Sequence, residues 1–184
     1  MHERIVIAGS GGQGIVSLGK LLARLAAETI PHVTFFPAYG AEVRGGTSSC
    51  QVILSADEIA APIAEKFDSI LVMNQQSADH FMSALDKTGL AIVNQSLCKL
   101  HADARHVLVP ASEIADRLGS TRAANFVMLG VWLARKPLIP ARAVENAMAS
   151  HFPDAPPALI DINIQAFRAG RDYSLRSRRK SARA

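Results

Sequence analysis

Residues Gly9-Ser10-Gly11-Gly12-Gln13-Gly14 stand directly after the apolar run Ile5-Val6-Ile7-Ala8 and directly before a stretch with helical apolar spacing. A strand, a glycine turn and a helix in that order make a corner that can cradle a phosphate or dock a partner. Glycine tolerates positive φ, so the backbone can turn sharply. The amides that open the next helix then point their N–H groups at whatever approaches. Gly9, Gly11 and Gly14 meet the G-x-G-x-x-G spacing of a dinucleotide-binding turn. Such a site also needs an acidic residue about 20 positions further on to hold the ribose. The second strand candidate, His32-Val33-Thr34-Phe35-Phe36-Pro37, instead ends in aromatics and proline, and the nearest acid, Glu42, lies beyond it. A free-standing nucleotide- or NAD-binding protein is therefore the alternative reading.

A second glycine cluster follows, Tyr39-Gly40-Ala41-Glu42-Val43-Arg44-Gly45-Gly46-Thr47-Ser48. Loops of this length are costly to bury and tend to carry function. Arg44 between glycines offers a guanidinium fork for a carboxylate or phosphate. Its plainer reading is a solvated turn in which Glu42 and Arg44 keep the loop soluble. Other chemistries lack their residues. Cys50 and Cys98 belong to no C-x-x-C and read as small buried hydrophobes; an iron–sulfur cluster needs about four thiolates. The six histidines show no paired-ligand spacing. Ser10, Ser48 and Ser49 have no evident base, and neither a nucleophile elbow nor a Walker lysine is present.

The two glycine motifs together, G-x-G-G-Q-G and then Y-G-x-E-x-R-G-G, resemble the gamma subunit or gamma domain of 2-oxoacid:ferredoxin oxidoreductases, of the 2-oxoglutarate, pyruvate and indolepyruvate types. The resemblance runs from Arg4 to about Tyr173, with the strands at Ser49–Ser55 and Asp68–Asn74 in matching places. It implies CoA-dependent oxidative decarboxylation of a 2-oxoacid, most closely 2-oxoglutarate, with ferredoxin as electron acceptor. Thiamine diphosphate, Mg2+ and iron–sulfur clusters are then expected on alpha, beta and ferredoxin-like delta partner subunits, with coenzyme A as cosubstrate. No catalytic or metal-binding residue is expected in this chain. Gly9, Gly11, Gly12, Gln13, Gly14, Tyr39, Gly40, Glu42, Arg44, Gly45 and Gly46 are its expected contact residues toward partner subunits or coenzyme A.

The elements that would position these loops alternate. Strands are expected at Arg4–Ala8, Val33–Phe36, Cys50–Leu54, Ser69–Met73, Leu90–Val93 and His106–Val109, and helices at Gly14–Thr29, Ser77–Leu85, Ser112–Leu118, Asn125–Ala134, Ala141–Ser150 and Pro157–Ala169. Continuous apolar strands such as Ile70–Met73 indicate a sheet covered on both faces. The fold class is α/β: a three-layer α/β/α arrangement with a mostly parallel sheet and a C-terminal helical cap. Cys50–Leu54 follows the second glycine cluster too soon for a crossover helix, so a hairpin and a mixed sheet are expected.

A chain of 184 residues suits one domain, here 1–173, followed by a basic tail at 174–184. Residues 168–184 hold seven basic side chains against Asp172, while the preceding 167 hold 13 basic and 15 acidic ones. Read from composition, this tail is a disordered, solvated terminus, or else an arm for an acidic partner subunit. The apolar run after Met1-His2-Glu3-Arg4 is too short for a signal peptide. Residues 123–134 are too short for a membrane span and read as a core helix around Trp132. A cytoplasmic protein with no nucleic-acid or membrane partner is expected.

Overall fold

The computed structural model describes residues 1–39, 47–101 and 103–181. Six strands form one sheet: β1 (His2–Ser10), β2 (His32–Tyr39), β3 (Thr47–Ser55), β4 (Phe67–Val72), β5 (Leu85–Asn94) and β6 (His106–Val109), in the order β2-β3-β1-β4-β5-β6. β1, β4, β5 and β6 run parallel, whereas β3 is antiparallel to both β1 and β2. The expected hairpin and mixed sheet are therefore present. The β2–β3 ribbon has twisted into the sheet so that β3, not β2, lies beside β1.

The central strands are apolar on both faces because both faces are covered. One face packs Ile5, Ile7, Val52, Leu71 and Ile92 under five helices: α1 (Ile15–Ala26), α3 (Ala111–Arg117), α4 (Ala124–Arg135), α5 (Ala141–His151) and α6 (Pro157–Ser181). The other packs Val6, Ile70, Val72 and Val93 under α2 (Gln75–Phe81), a 3-10 turn at Met82–Ala84 and neighbouring loops. The layers are therefore unequal.

Residues 124–133 of α4 are all buried, Trp132 completely, since the helix has the sheet beneath it and α6 above it. The helices expected to cap the C-terminus are thus stacked two deep on one face. A polar chain fastens the end of α4 to the strands. The Trp132 indole N–H donates to Ser69 Oγ at 2.8 Å, and the Ser69 hydroxyl donates to Glu3 Oε1. Lys136 Nζ reaches the same Glu3 oxygen at 2.6 Å and the Asp68 carbonyl at 2.9 Å. Burying Glu3 is tolerable because its charge is paired and hydrogen-bonded.

The helix expected to stop at Ala169 continues to Ser181. Tertiary contacts explain the extension. Ser174 is buried and accepts from Arg135 Nε at 2.9 Å, and the Tyr173 hydroxyl donates to the Leu108 carbonyl at 2.9 Å. The break at Pro153–Pro157 is where expected, between α5 and α6, with Pro157 at the first helical position where its missing N–H costs nothing.

Candidate functional site

Each parallel strand that starts this site is an apolar run closed by a polar residue, and those closings share one edge of the sheet. β1 ends in Ser10, β4 leads through Met73 to Asn74, and β5 ends in Asn94. The chain then leaves β1 through α1 on one face and β4 through α2 on the other. Parting in opposite directions opens a crevice between neighbouring strand ends, the usual ligand position in open α/β sheets.

The first glycine turn forms one wall. The Ser10 amide donates to Gln13 Oε1 at 2.7 Å and the Gln13 amide to the Ser10 carbonyl at 3.2 Å, so Gln13 staples the turn from within. Gly12 and Gly14 lie at φ 85° and 70°, conformations that favour glycine. Gly14 is the N-cap of α1, which has no side-chain cap bond. Gly9 leaves room for Gln13, Ile15 and Met73 to close behind the turn, whereas open space lies above Gly11.

The far wall was not foreseen. Asn74 Nδ2 donates to Ser10 Oγ across the gap, while Asn74 Oδ1 caps α2 by accepting from Ser77 N at 2.9 Å. Asn94 Oδ1 accepts from Ala111 N at 3.1 Å and holds the start of α3. Asn125, at the start of α4, donates from Nδ2 to the Gly14 carbonyl at 3.3 Å, and its buried Oδ1 has no hydrogen-bond partner among the described residues. Gly11, Gly12, Gln13, Leu97, Thr121 and Arg122 line the resulting open crevice of about 450 Å³. An asparagine closing an apolar strand just before a helix is an N-cap signal, which made Asn74 legible in principle. The reach of Asn125 back to Gly14 spans 111 positions and leaves no local trace.

The second glycine cluster is bracketed rather than seen. Ser10 pairs with Thr47 and Tyr39 with Ser48, so both flanks of the segment come to the same edge as the first turn. Gly40, Glu42, Arg44, Gly45 and Gly46 lie outside the described residues.

The residues do not suit an iron–sulfur cluster. Cys50 lies under α1 on one face of the sheet and Cys98 belongs to the core on the other. Burial pushes the Cys50 thiol up to about 12 and the Cys98 thiol up to about 11, away from the thiolate that a metal needs. Among the described residues no three His, Cys, Asp or Glu side chains are grouped as a metal site requires. Among them also, no helix is long and apolar enough to cross a membrane.

Set beside known families, residues 4–173 match the pyruvate ferredoxin/flavodoxin oxidoreductase model. The chain belongs to this family. The resemblance drawn from the paired glycine motifs is confirmed over the span expected of it. Ketoisovalerate oxidoreductase subunit VorA of Methanothermobacter thermautotrophicus is 42% identical over 132 residues, 71% of this chain, which spans only 28% of VorA. The 2-oxoglutarate synthase subunit KorC of the same organism is 30% identical over 97% of this chain and 98% of its own length. The gamma subunit of a keto/oxoacid ferredoxin oxidoreductase from Geobacter sulfurreducens superposes with a TM-score of 0.78 at 27% identity, covering 94% of this chain and 98% of that one. The α/β architecture is thus that of gamma subunits in this family.

Proposed function

We propose that the chain is the gamma subunit of a 2-oxoacid:ferredoxin oxidoreductase and takes part in CoA-dependent oxidative decarboxylation without a complete active site of its own. The observation that carries this reading is the end-to-end match with KorC, whose length this chain nearly fills. That match also makes 2-oxoglutarate the first substrate to test, with the ketoisovalerate named for VorA as its rival. In the assembled enzyme, thiamine diphosphate supplies the carbanion and iron–sulfur clusters carry the electrons. Both are assigned to alpha, beta and delta-type partners: the two cysteines here face opposite sides of the sheet, and the sequence carries no recognisable thiamine diphosphate motif.

The part left to this chain is positional. Gly11 and Gly12 let another backbone or a coenzyme A group come close to the start of α1, while Gln13 and Asn74 keep the turn in shape. Arg44 is assigned to a carboxylate or phosphate across the same contact, where an Arg fork outperforms a lysine.

Anaerobic purification of the tagged chain from its native host tests the assignment. Alpha- and beta-type subunits should co-purify, and the complex should reduce ferredoxin with CoA and 2-oxoglutarate faster than with pyruvate, ketoisovalerate or indolepyruvate. A chain that purifies alone and whose host fractions show no matching activity defeats the reading. Within that complex, Arg44→Ala should lower assembly or turnover by about tenfold or more, equivalent to about 1.4 kcal/mol, with Arg44→Lys only a partial rescue. If Arg44 serves this contact and not the core, the isolated domain should stay within about 0.5 kcal/mol of wild type. An Arg44→Ala complex that assembles and turns over like wild type makes the segment a solvated turn.

A further inference from the structure

Between β3 and β4 the chain runs Asp57-Glu58-Ile59-Ala60-Ala61-Pro62-Ile63-Ala64-Glu65-Lys66 without helix or strand. Residues 59–64 are all apolar, and Ala60, Ala61, Pro62 and Ile63 are exposed, Ile63 by 51%. Single apolar side chains on a surface need no explanation, but an exposed run of this length is a fault unless it serves a function. The run is also held in place. At one end the Ala56 amide donates to the Met1 carbonyl at 2.9 Å. At the other the Ala64 amide donates to Gln51 Oε1 at 2.8 Å and Lys66 Nζ to the Ser83 carbonyl at 3.0 Å.

The run lies on the thinner side of the sheet. Gln51, which holds Ala64, stands opposite Val6 of β1 and Phe36 of β2, so all three side chains share the face that only α2, the 3-10 turn and loops cover. Phe36 is 39% exposed there. Neither it nor Ile59 nor Ile63 joins a core cluster among the described residues. An open groove of about 510 Å³ beside the run is lined by His2, Arg4 and Ile53 from the strands and by Ile59, Ile63 and Lys66. Arg4 stands six residues before Ser10 on β1, roughly 20 Å along the strand. An occupant of this groove therefore leaves the glycine crevice open.

We propose that residues 59–64, Phe36 and this groove form the docking surface for a partner subunit of the oxidoreductase that presents apolar side chains rimmed by basic ones, an inference that rests on the gamma-subunit reading. Two observations choose that occupant. Asp57, Glu58 and Glu65 are exposed around the run, and none has an ion-pair partner among the described residues. A second copy set on the same patch by a two-fold axis would bring these acids against their own equivalents, whereas a basic rim complements them. The other observation is one of length. This chain spans only 28% of VorA, so there the domain belongs to a longer chain and has a covalent neighbour to pack on. Under the gamma-subunit reading that neighbour is a separate subunit here, and the face left thinnest by this chain's own helices is the one it covers.

The test uses the full chain with its alpha- and beta-type subunits and reads affinity and melting temperature together. I59S/I63S should melt like wild type, since neither side chain joins the core, and should bind one of the subunits about tenfold more weakly or worse, as loss of a central apolar anchor does. Ile63→Ser alone, at the more exposed position, should act in the same direction. L159S/L175S, at exposed positions of α6 on the other face, should bind like wild type. D57N/E58Q/E65Q should flatten the fall in affinity as salt rises from about 50 mM to about 300 mM. Unchanged affinity in I59S/I63S overturns the docking surface while leaving the subunit assignment intact, and equal weakening by L159S/L175S overturns the choice of face. An unchanged salt slope in D57N/E58Q/E65Q overturns the basic rim. A wild-type chain that self-associates, with I59S/I63S monomeric at full subunit affinity, assigns the run to a second copy and overturns the proposal. A wild-type chain that binds neither subunit overturns this surface and the subunit reading together.

Discussion

Gly9 and Gly11 stand two positions apart on one turn and meet opposite surroundings. A Cβ at Gly9 would fall on Gln13 Oε1 and within 2.9 Å of both Ile15 and Met73, whereas one at Gly11 would meet nothing within 4 Å. Gly9→Ala should therefore destabilise the isolated chain by about 1–3 kcal/mol, as overpacking does, and Gly11→Ala should melt like wild type. If Gly11→Ala nonetheless weakens subunit assembly, the open space above it is where the partner or coenzyme comes close; equal melting losses for both variants would refute this division of roles. His151 supplies a pH test. Its Nε2 lies 2.9 Å from Ser17 Oγ, and burial, followed by the charges of Arg24 and Lys20, holds it below the ordinary 6.5. The folded chain thus prefers the neutral ring. Its contribution is fully present above about pH 6.5 and is lost as pH falls from there through the folded pKa, because the unfolded chain takes up the proton first. His151→Gln should flatten the fall in melting temperature between pH 7 and pH 5; an unchanged slope assigns the fall to other groups. The turn was legible because its spacing is local. The bracing contacts were not, since Asn74, legible only as an N-cap, and Asn125 find their partners on the turn 64 and 111 positions away.

At the scale of elements, the contact of α4 with α6 decides how thick the helical layer can be. A Cβ at Gly130 would land on the Phe167 carbonyl oxygen, and one at Gly170 on the Val127 carbonyl oxygen. Each helix therefore offers a glycine where the other's backbone passes, and no flexible side chain can yield there. Gly170→Ala should cost at least about 1–3 kcal/mol, which lowers the melting temperature by roughly 2–4 °C per kcal/mol in a chain of this size. A melt equal to wild type would mean that the helices separate without penalty. Helix content was readable from apolar spacing, and α4 was placed within one residue at either end. The end of α6 was not readable. Its last turns are polar and basic, and what extends them is tertiary: the Tyr173 hydroxyl on Leu108 and the Arg135 guanidinium on Ser174. Composition describes how a segment meets water, and only packing shows that it has a neighbour.

The whole sheet explains why a dinucleotide-like turn need not make a dinucleotide site. In a doubly wound dinucleotide fold the second strand lies beside the first, and an acid at its end reaches the ribose bound over the glycine turn. Here β3 lies between β1 and β2 in the order β2-β3-β1-β4-β5-β6. At about 4.8 Å per strand, the end of β2 is roughly 10 Å from β1 instead of half that. Alternating apolar and helical segments revealed the fold class, and the short link before Cys50 revealed a hairpin. Neither indicated which strand of the ribbon would pair with β1; the sign in the sequence is Pro37, which has no N–H to give and so suits β2 to the edge of the sheet. β3 carries Cys50, Val52 and Leu54 into the core beneath α1, each fully buried, while Val33 and Phe35 on β2 are only partly covered. β3 takes the inner position and keeps β2 away from the crevice. NAD and NADP should accordingly bind the isolated chain with a Kd weaker than about 1 mM, a free energy no more favourable than about −4 kcal/mol. Titration calorimetry decides the matter. A Kd in the low micromolar range would require a ribose contact supplied from elsewhere than the end of β2, and would restore the free-standing nucleotide-binding reading.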